Sequence, residues 1–260
     1  IHSALDQIVV VAGFNIQVES AIGVSIYPID ADDPDNLLDC ADLALNYAEQ
    51  GTGICQFYSE EMNNQYLTQI KIESGLVRAI EKNELEIFYQ PIVNIQCGMI
   101  NKLEALLRWN HPEKEVLAAF NFIEVAERSG LIIRIGDWVC RQAIQQLAIW
   151  RREISPDIQI SINVSGIQLQ MDDLADRILN YLQENGVPPG NLVVEITEST
   201  IVQTMESATR TLERLHSMGV QIALDDFGMG YSPLQYLQKF PVDIIKIDRS
   251  FIRGIETSNC

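Results

Sequence analysis

Acidic and amide side chains occur near the ends of short apolar runs in this chain, where their types and spacing suit metal-assisted chemistry. Each run is typical of a buried β-strand, and burying a carboxylate is costly unless the group is paired or binds a metal ion. The same placement on four successive strands therefore predicts one shared, cation-filled site. The runs are residues 99–107, 158–164, 192–197 and 220–226, and the polar residues are Glu104, Asn163, Glu195, Asp225 and Asp226.

Lys246 lies in a fifth run, residues 243–248, and is expected to bring one ammonium close to those carboxylates. Hard ions such as Mg²⁺ or Mn²⁺ prefer oxygen ligands, which Glu, Asn and Asp provide. Two such ions about 4 Å apart can activate water and relieve the negative charge on a phosphodiester. The sequence shows no Cys or His cluster, which argues against zinc. We therefore predict the hydrolytic centre of a metal-dependent phosphodiesterase.

The composition is that of an acidic globular protein. The 260 residues include 18 basic and 36 acidic side chains, a formal net charge of −18, and 47% of them are hydrophobic. This length suits one large domain, or one domain plus a piece of another. The negative charge disfavours extended DNA or RNA as a partner. A small anionic nucleotide can still bind through bridging cations and a few local basic residues.

The sequence carries no pattern of a membrane segment or a signal peptide. No apolar stretch reaches the roughly 20 residues of a transmembrane helix, and the opening run lacks a basic flank and a cleavage pattern. We therefore expect no membrane contact from this segment. The five cysteines show no CxxC spacing, which is typical of free thiols in a reducing cytoplasm. A cytoplasmic location is the expectation, and it is compatible with membrane attachment of a longer parent protein.

Strands and helices are predicted to alternate from Leu85 onward. Nearly all-apolar strands separated by helices indicate a parallel sheet covered by helices, with the active site at the carboxyl ends of the strands. The first two strands are close together and predict a hairpin. Six strands are predicted where a closed barrel has eight, so we expect the chain to stop before the last two. The expected strands are residues 85–93, 99–109, 158–164, 192–197, 220–226 and 243–248, and the expected helices are 117–129, 136–153, 171–185, 203–218 and 232–239.

The first part of the chain has a different pattern. Residues 16–29 and 54–58 are predicted strands, and an amphipathic helix with Asp35 or Asn36 as its cap is expected between them. A second helix is predicted from Ser59 to about Lys82.

Several ordered motifs resemble the EAL family of bacterial cyclic di-GMP phosphodiesterases. They include YQPIV (89–93), EALLRW (104–109), EITES (195–199) and DDFGMGYSPLQYL (225–237). The resemblance implies a (β/α)8-like, TIM-type barrel whose first strand runs antiparallel, here lacking its last strands.

Residues 18–59 resemble the C-terminal part of a GGDEF domain, although the cyclase signature loop is not in the chain. The resemblance thus implies a GGDEF–EAL tandem protein truncated at both ends. The expected divisions are an α+β remnant of a GGDEF-like domain at 1–59, a linking helix at 60–82 and the EAL domain at 83–260.

The resemblance also implies roles for individual residues. The first of two divalent cations, Mg²⁺ or Mn²⁺, would be held by Glu104, Asn163, Glu195 and Asp225, and the second by Asp225 and Asp226. The implied catalytic residues are Lys246, Glu104 and Asp226, the substrate-binding residues are Gln90, Arg108 and Asn163, and Glu198 would support the loop after Asp226.

The implied reaction is hydrolysis of cyclic di-GMP to linear pGpG, and the implied assembly is a homodimer through the EAL domain. Two alternatives remain open at this point. One is a module that binds cyclic di-GMP without turnover, and the other is a regulatory scaffold in which the acidic strand ends are relics. Retention of the acidic ligands favours the enzyme.

Overall fold

The protein is described here by a computed structural model. The structure describes residues 9–11, 14–16, 20–52, 55–113, 115–203, 205–228 and 240–252. It contains two compact units, Ile1–Ile72 and Glu73–Cys260.

The first unit combines two small strand pairs with a helix. Strands β1 and β2 pair antiparallel, whereas β3 and β4 pair parallel. The predicted strand 16–29 is therefore much too long, and the predicted strand 54–58 is confirmed in shorter form. The elements are β1 (Val9–Val11), β2 (Phe14–Ile16), β3 (Ile22–Val24), helix α1 (Pro34–Tyr47), a π-helical turn (Ala48–Thr52) and β4 (Cys55–Phe57).

The start of α1 differs from the expectation of Asp35 or Asn36 as cap. Asp33 is the N-cap residue, and its side chain accepts a hydrogen bond from the backbone N–H of Asn36 at 3.0 Å. Pro34 follows as the first helical residue, where its missing N–H has no cost and its fixed φ suits the helix. The proline therefore moves the cap to the residue before it.

The next helix, α2 (Glu60–Glu81), confirms the prediction for residues 59–82. Ser59 accepts a hydrogen bond from the backbone N–H of Met62 at 3.4 Å, as expected for a capped start.

The second unit is built on one sheet with the strand order β11-β10-β9-β8-β6-β5. The outer pair β5 and β6 is antiparallel, and the steps from β6 to β11 are parallel. The predicted hairpin and parallel sheet are thus confirmed. Within the described ranges β5 and β11 are the outer strands of an open sheet. The strands are β5 (Leu85–Val93), β6 (Ile100–Asn110), β7 (Val116–Ala118), β8 (Gln159–Asn163), β9 (Leu192–Thr197), β10 (Gln221–Phe227) and β11 (Ile244–Ile247).

Helices alternate with the strands in the second unit. They are α3 (Ile123–Arg128), α4 (Leu131–Glu153), α5 (Gly166–Leu169), α6 (Leu174–Glu184), α7 (Glu198–Gln203), α8 (Met205–Ser217) and α9 (Arg249–Ile252), with 3-10 turns at Ala119–Asn121 and Pro189–Asn191.

The predicted helix 117–129 is wrong over its first half. Val116–Ala118 forms β7, which pairs antiparallel with β6, and the helix α3 begins only at Ile123. A β-branched residue beside an available strand edge favours pairing over helix. The predicted helix 203–218 is confirmed by α8, and the predicted helix 232–239 lies outside the described residues.

Successive side chains along β8 and β9 point alternately into the hydrophobic core and toward the acidic site. Ile160 and Ile162 of β8, like Val194 of β9, are buried in the hydrophobic core with residues of α4, α6 and α8. Successive side chains of a strand point to opposite faces. Asn163 and Glu195 therefore lie on the other face of the sheet, away from the helices.

Gly136 of α4 packs directly against the buried side chain of Gln168. A Cβ at Gly136 would lie 2.0 Å from Gln168 Nε2, and Gln168 is held in a capping box with Ser165. Gly136→Ala should therefore lower the free energy of unfolding by about 1–3 kcal/mol, the usual cost of overpacking. Urea denaturation measures this loss. Gly190→Ala is the matched control, because its Cβ would lie 3.7 Å from the nearest atom, and equal losses in both variants would contradict the explanation.

Candidate active site

Three carboxylates from three strands of the sheet converge toward its carboxyl ends. Each of Glu104 on β6, Glu195 on β9 and Asp225 on β10 offers an oxygen, and these oxygens lie within 4.8 Å of one another. The strand register explains the convergence, since Asn163 pairs with Glu195 and Ala223, two residues before Asp225, also pairs with Glu195. The sequence prediction of one shared acidic site is thereby confirmed in its geometry.

The ammonium of Lys246 lies among these three carboxylates. Its Nζ donates to Glu195 Oε2 at 2.6 Å, to Asp225 Oδ2 at 2.7 Å and to Glu104 Oε2 at 3.1 Å. Burial by itself lowers the pKa of Lys246, but hydrogen bonds to Asp225 and Glu195 and the nearby charges outweigh burial and raise the pKa above the ordinary lysine value. The lysine therefore stays charged at neutral pH.

Glu195 is the most deeply buried of the three carboxylates, with 2% of its surface exposed. Desolvation raises the pKa of Glu195, the Glu104 charge raises it further, and the hydrogen bond and charge of Lys246 lower it. A carboxylate placed so deeply requires a permanent cationic neighbour. Lys246 meets this requirement, and a metal ion bound at the site would also meet it.

Two more predicted ligands adjoin the three carboxylates. Asn163 Nδ2 donates to Glu104 Oε1 at 3.1 Å, so the amide contacts the site directly. Asp226 has a left-handed backbone with φ of 54°, and its N–H donates to Asp225 Oδ1 at 2.9 Å. Desolvation and the charge of Asp225 raise the pKa of Asp226, as expected for two adjacent carboxylates.

The predicted substrate-binding residues occupy two cavities next to the carboxylates. Gln90, opposite Glu104 in the β5–β6 register, lines a cavity of about 750 Å³ together with Asp225, Asp226 and Lys246. Arg108 lines an adjoining cavity of about 410 Å³ that shares Asp226 with the first. Its guanidinium donates to the Leu107 carbonyl at 2.9 Å and lies 5.5 Å from the centroid of the Phe88 ring.

Glu198, the predicted loop support, is buried and its Oε2 accepts a hydrogen bond from the backbone N–H of Gly228 at 3.0 Å. This contact places it directly on the segment that follows Asp226. Asp248, two residues after Lys246, accepts a hydrogen bond from the backbone N–H of Ser250 at 2.8 Å. Gly230 and Ser232, which belong to the DDFGMGYSPLQYL motif, lie outside the described residues.

Some residues around the site were missed by the sequence analysis. Thr197 at the end of β9 lines both cavities. Lys102 precedes Glu104 by two positions on the same face of β6, and burial lowers the pKa of its ammonium. Ser161 holds the equivalent position before Asn163. Lys102 and Ser161 could have been identified from the sequence. Each is a polar residue two positions before a predicted ligand, and it therefore lies on the same face of its strand.

The donor set fits a divalent metal ion. It consists of carboxylate oxygens, with an amide beside them, from separate strands, which suits hard cations. The oxygens also share one ammonium, which shows that their common point is a favourable position for positive charge. The site can therefore hold a metal ion.

Fold and site together define an α/β protein with a cluster of carboxylates, suited to a metal ion, at the carboxyl ends of a mostly parallel sheet. The chain belongs to the EAL domain family, which its sequence matches over residues 73–259. The family resemblance found in the motifs is thus confirmed.

Relatives with known names support the same placement. The bifunctional diguanylate cyclase/cyclic di-GMP phosphodiesterase MucR of Pseudomonas aeruginosa is 36% identical over 242 residues, which are 92% of this chain and 35% of MucR. A structure of the MucR phosphodiesterase in complex with c-di-GMP has a TM-score of 0.68 and 37% identity, covering 72% of this chain and 76% of that chain. The FimX EAL domain of the same organism, bound to c-di-GMP, has a TM-score of 0.64 and 26% identity, covering 71% and 74%.

The chain spans about a third of the length of the curated relatives it matches. Among the helices of the described ranges, none has the length and apolar character needed to cross a bilayer.

Proposed function

We propose that this chain is a phosphodiesterase region that hydrolyses cyclic di-GMP to linear pGpG. The observation that carries the proposal is the convergence of Glu104, Glu195 and Asp225, with ligand oxygens within 4.8 Å of one another. These carboxylates adjoin a cavity of about 750 Å³ that can receive a nucleotide. The MucR complex with c-di-GMP supports the choice of substrate.

We assign Mg²⁺ or Mn²⁺ as the cofactor, with two ions in the site. The ligands of the first would be Glu104, Asn163, Glu195 and Asp225, and those of the second Asp225 and Asp226. When bound, such ions supply an activated water and offset negative charge at the phosphorus. Their positive charge would also reduce the repulsion between an anionic substrate and a chain whose formal charge is −18.

The side chains of this chain would position the reacting groups. Lys246 has its ammonium at the centre of the carboxylates, where it can hold the attacking water and stabilise developing phosphate charge. Glu104 accepts from both Lys246 and Asn163, so it fixes their relative positions. Asp226, next along the chain from Asp225, would complete the catalytic set.

Two polar residues would bind the substrate from the cavity walls. Gln90 is placed to contact the nucleotide beside Glu104. Arg108 presents a planar cation suited to a phosphate, and its position in the adjoining cavity supports a contact with the second phosphate.

Incubation of the chain with cyclic di-GMP and Mn²⁺ tests the proposal, with the products separated by chromatography. We expect conversion to pGpG, and loss of conversion when EDTA removes the metal. Tight binding of cyclic di-GMP without any pGpG would instead favour the non-catalytic receptor. Calorimetry that detects neither metal nor nucleotide binding would favour the scaffold.

We also propose that residues 1–59 are the C-terminal part of a GGDEF-like domain, with a linking helix at 60–82 and the EAL domain at 83–260. The match to MucR supports this, because it covers 92% of the chain and so extends outside the EAL match at 73–259. Helix α2, at Glu60–Glu81, agrees with the proposed linker.

We further propose a homodimer formed through the EAL domain, which light scattering on the purified chain tests. A second messenger is an intracellular ligand, so the proposed substrate also implies action in the cytoplasm.

A further inference from the structure

Ser161 is a polar residue with no surface exposure in the middle of a strand next to the site. It lies on β8, between Ile160 and Ile162, which both point into the hydrophobic core. Because side chains alternate along a strand, Ser161 points to the opposite face, the face of Asn163. Its hydroxyl is therefore directed toward the acidic site.

The Ser161 hydroxyl has no hydrogen bond of normal length and angle among the described residues. A buried donor left unpaired costs about 1–3 kcal/mol, and serine packs poorly in a strand compared with the β-branched residues. An apolar residue at this position would avoid both penalties. An unpaired hydroxyl in such a place needs an explanation.

The nearest charged groups supply that explanation. Glu104 is the strand partner of Ser161 across the β6–β8 pair, so their side chains share one face. The Ser161 hydroxyl also lies close enough to Glu195 for a weak hydrogen bond, which lowers the pKa of that carboxylate. Lys246 already donates to Oε2 of Glu195 at 2.6 Å, and the hydroxyl approaches the same carboxylate from within the sheet.

We infer that Ser161 is a positioning residue that orients the Glu195 carboxylate for a divalent cation by donating a hydrogen bond to it. A ligand carboxylate gives one oxygen to the cation, and a donor on its other oxygen fixes its rotation. Ser161 acts through Glu195 and contacts neither substrate nor product. This inference rests on the proposed metal site.

A purely structural role for Ser161 predicts different behaviour. In that case the hydroxyl would only fill space, and its removal would leave metal affinity unchanged. In the positioning role, removal should weaken binding of the metal alone, without substrate, because outer contacts of this kind typically change metal affinity about 10- to 100-fold.

The test compares the Mn²⁺ affinity of Ser161→Ala with that of the unmodified chain, measured by the electron paramagnetic resonance signal of free Mn²⁺. Thr211→Val is the matched control. It removes another buried hydroxyl, which donates to the Leu169 carbonyl at 3.0 Å on the helix-covered side. We expect the dissociation constant to rise about tenfold in Ser161→Ala and to stay unchanged in Thr211→Val.

Thermal unfolding in EDTA gives the second readout. Ser161→Ala should melt close to the temperature of the unmodified chain, because it removes a single hydroxyl that has no hydrogen bond of normal geometry, and Mn²⁺ should raise its melting temperature less. Unchanged Mn²⁺ affinity, or a variant that fails to fold, would overturn the inference and leave the proposed function intact. An unmodified chain that binds no Mn²⁺ would overturn both.

Discussion

Glu195→Gln is expected to lower the rate of cyclic di-GMP hydrolysis by on the order of 10³-fold, the upper range for removing one electrostatic contact from an active site. Gln has the same shape but carries no negative charge and offers one oxygen instead of two. Mn²⁺ affinity should fall together with turnover, since the first proposed cation would lose a charged ligand. Initial rates at several Mn²⁺ concentrations measure both effects.

The fold should tolerate this substitution. Desolvation already raises the pKa of Glu195, so its buried position favours a neutral side chain. We therefore expect a cooperative melting transition close to that of the unmodified chain. Glu153→Gln is the control, because this exposed carboxylate lies at the end of α4, close to the beginning of β8 and thus at the opposite end of the sheet. Full turnover by Glu195→Gln would remove Glu195 from the proposed ligands.

The arrangement of the site was predictable because it depends on rules that act over short distances. Apolar runs that include Glu104, Asn163 or Glu195 identify strands, and parallel strands bring their carboxyl ends to one edge of a sheet. The motif resemblance added the antiparallel first strand, and the β5–β6 register confirms it. Neither of these two predictions required knowledge of the distances between side chains.

The features that were missed depend on packing between distant segments. The pairing of Val116–Ala118 with β6 requires the chain to turn back along that strand. Local secondary-structure propensity does not reveal where a chain turns back. The contact of Gly136 with Gln168 joins a helix to a capping box 32 positions later. The sequence predicted that Lys246 lies near the carboxylates but did not predict its three hydrogen bonds. The register between β10 and β11 shifts after Leu224, which the sequence pattern does not reveal.

Lys246→Met should abolish most turnover and also change how stability depends on metal. The variant keeps an unbranched side chain of similar length but leaves Glu104, Glu195 and Asp225 without their shared ammonium. Breaking a buried ion pair costs about 3–5 kcal/mol, and we expect the lower end because 25% of the Lys246 side chain is exposed. Unfolding by urea in EDTA measures the loss, and Mn²⁺ should restore part of it.

The pH dependence of this loss provides a further check. Lys246 lowers the pKa of Glu195, so its removal lets burial raise that pKa further above the ordinary glutamate value of 4.5. The folded state then binds more protons than the unfolded state above that value, and stability falls as pH rises. Lys246→Met in EDTA should therefore be less stable at pH 8 than at pH 5.

Lys82→Met is the control, because it removes an exposed lysine at the end of α2. It should change neither turnover nor the pH dependence. If Lys246→Met kept its full stability in EDTA at pH 8, the three carboxylates would not need a shared cation. A metal site at the ends of these strands would then lose its physical basis, which is that negative charges placed this close together require compensation.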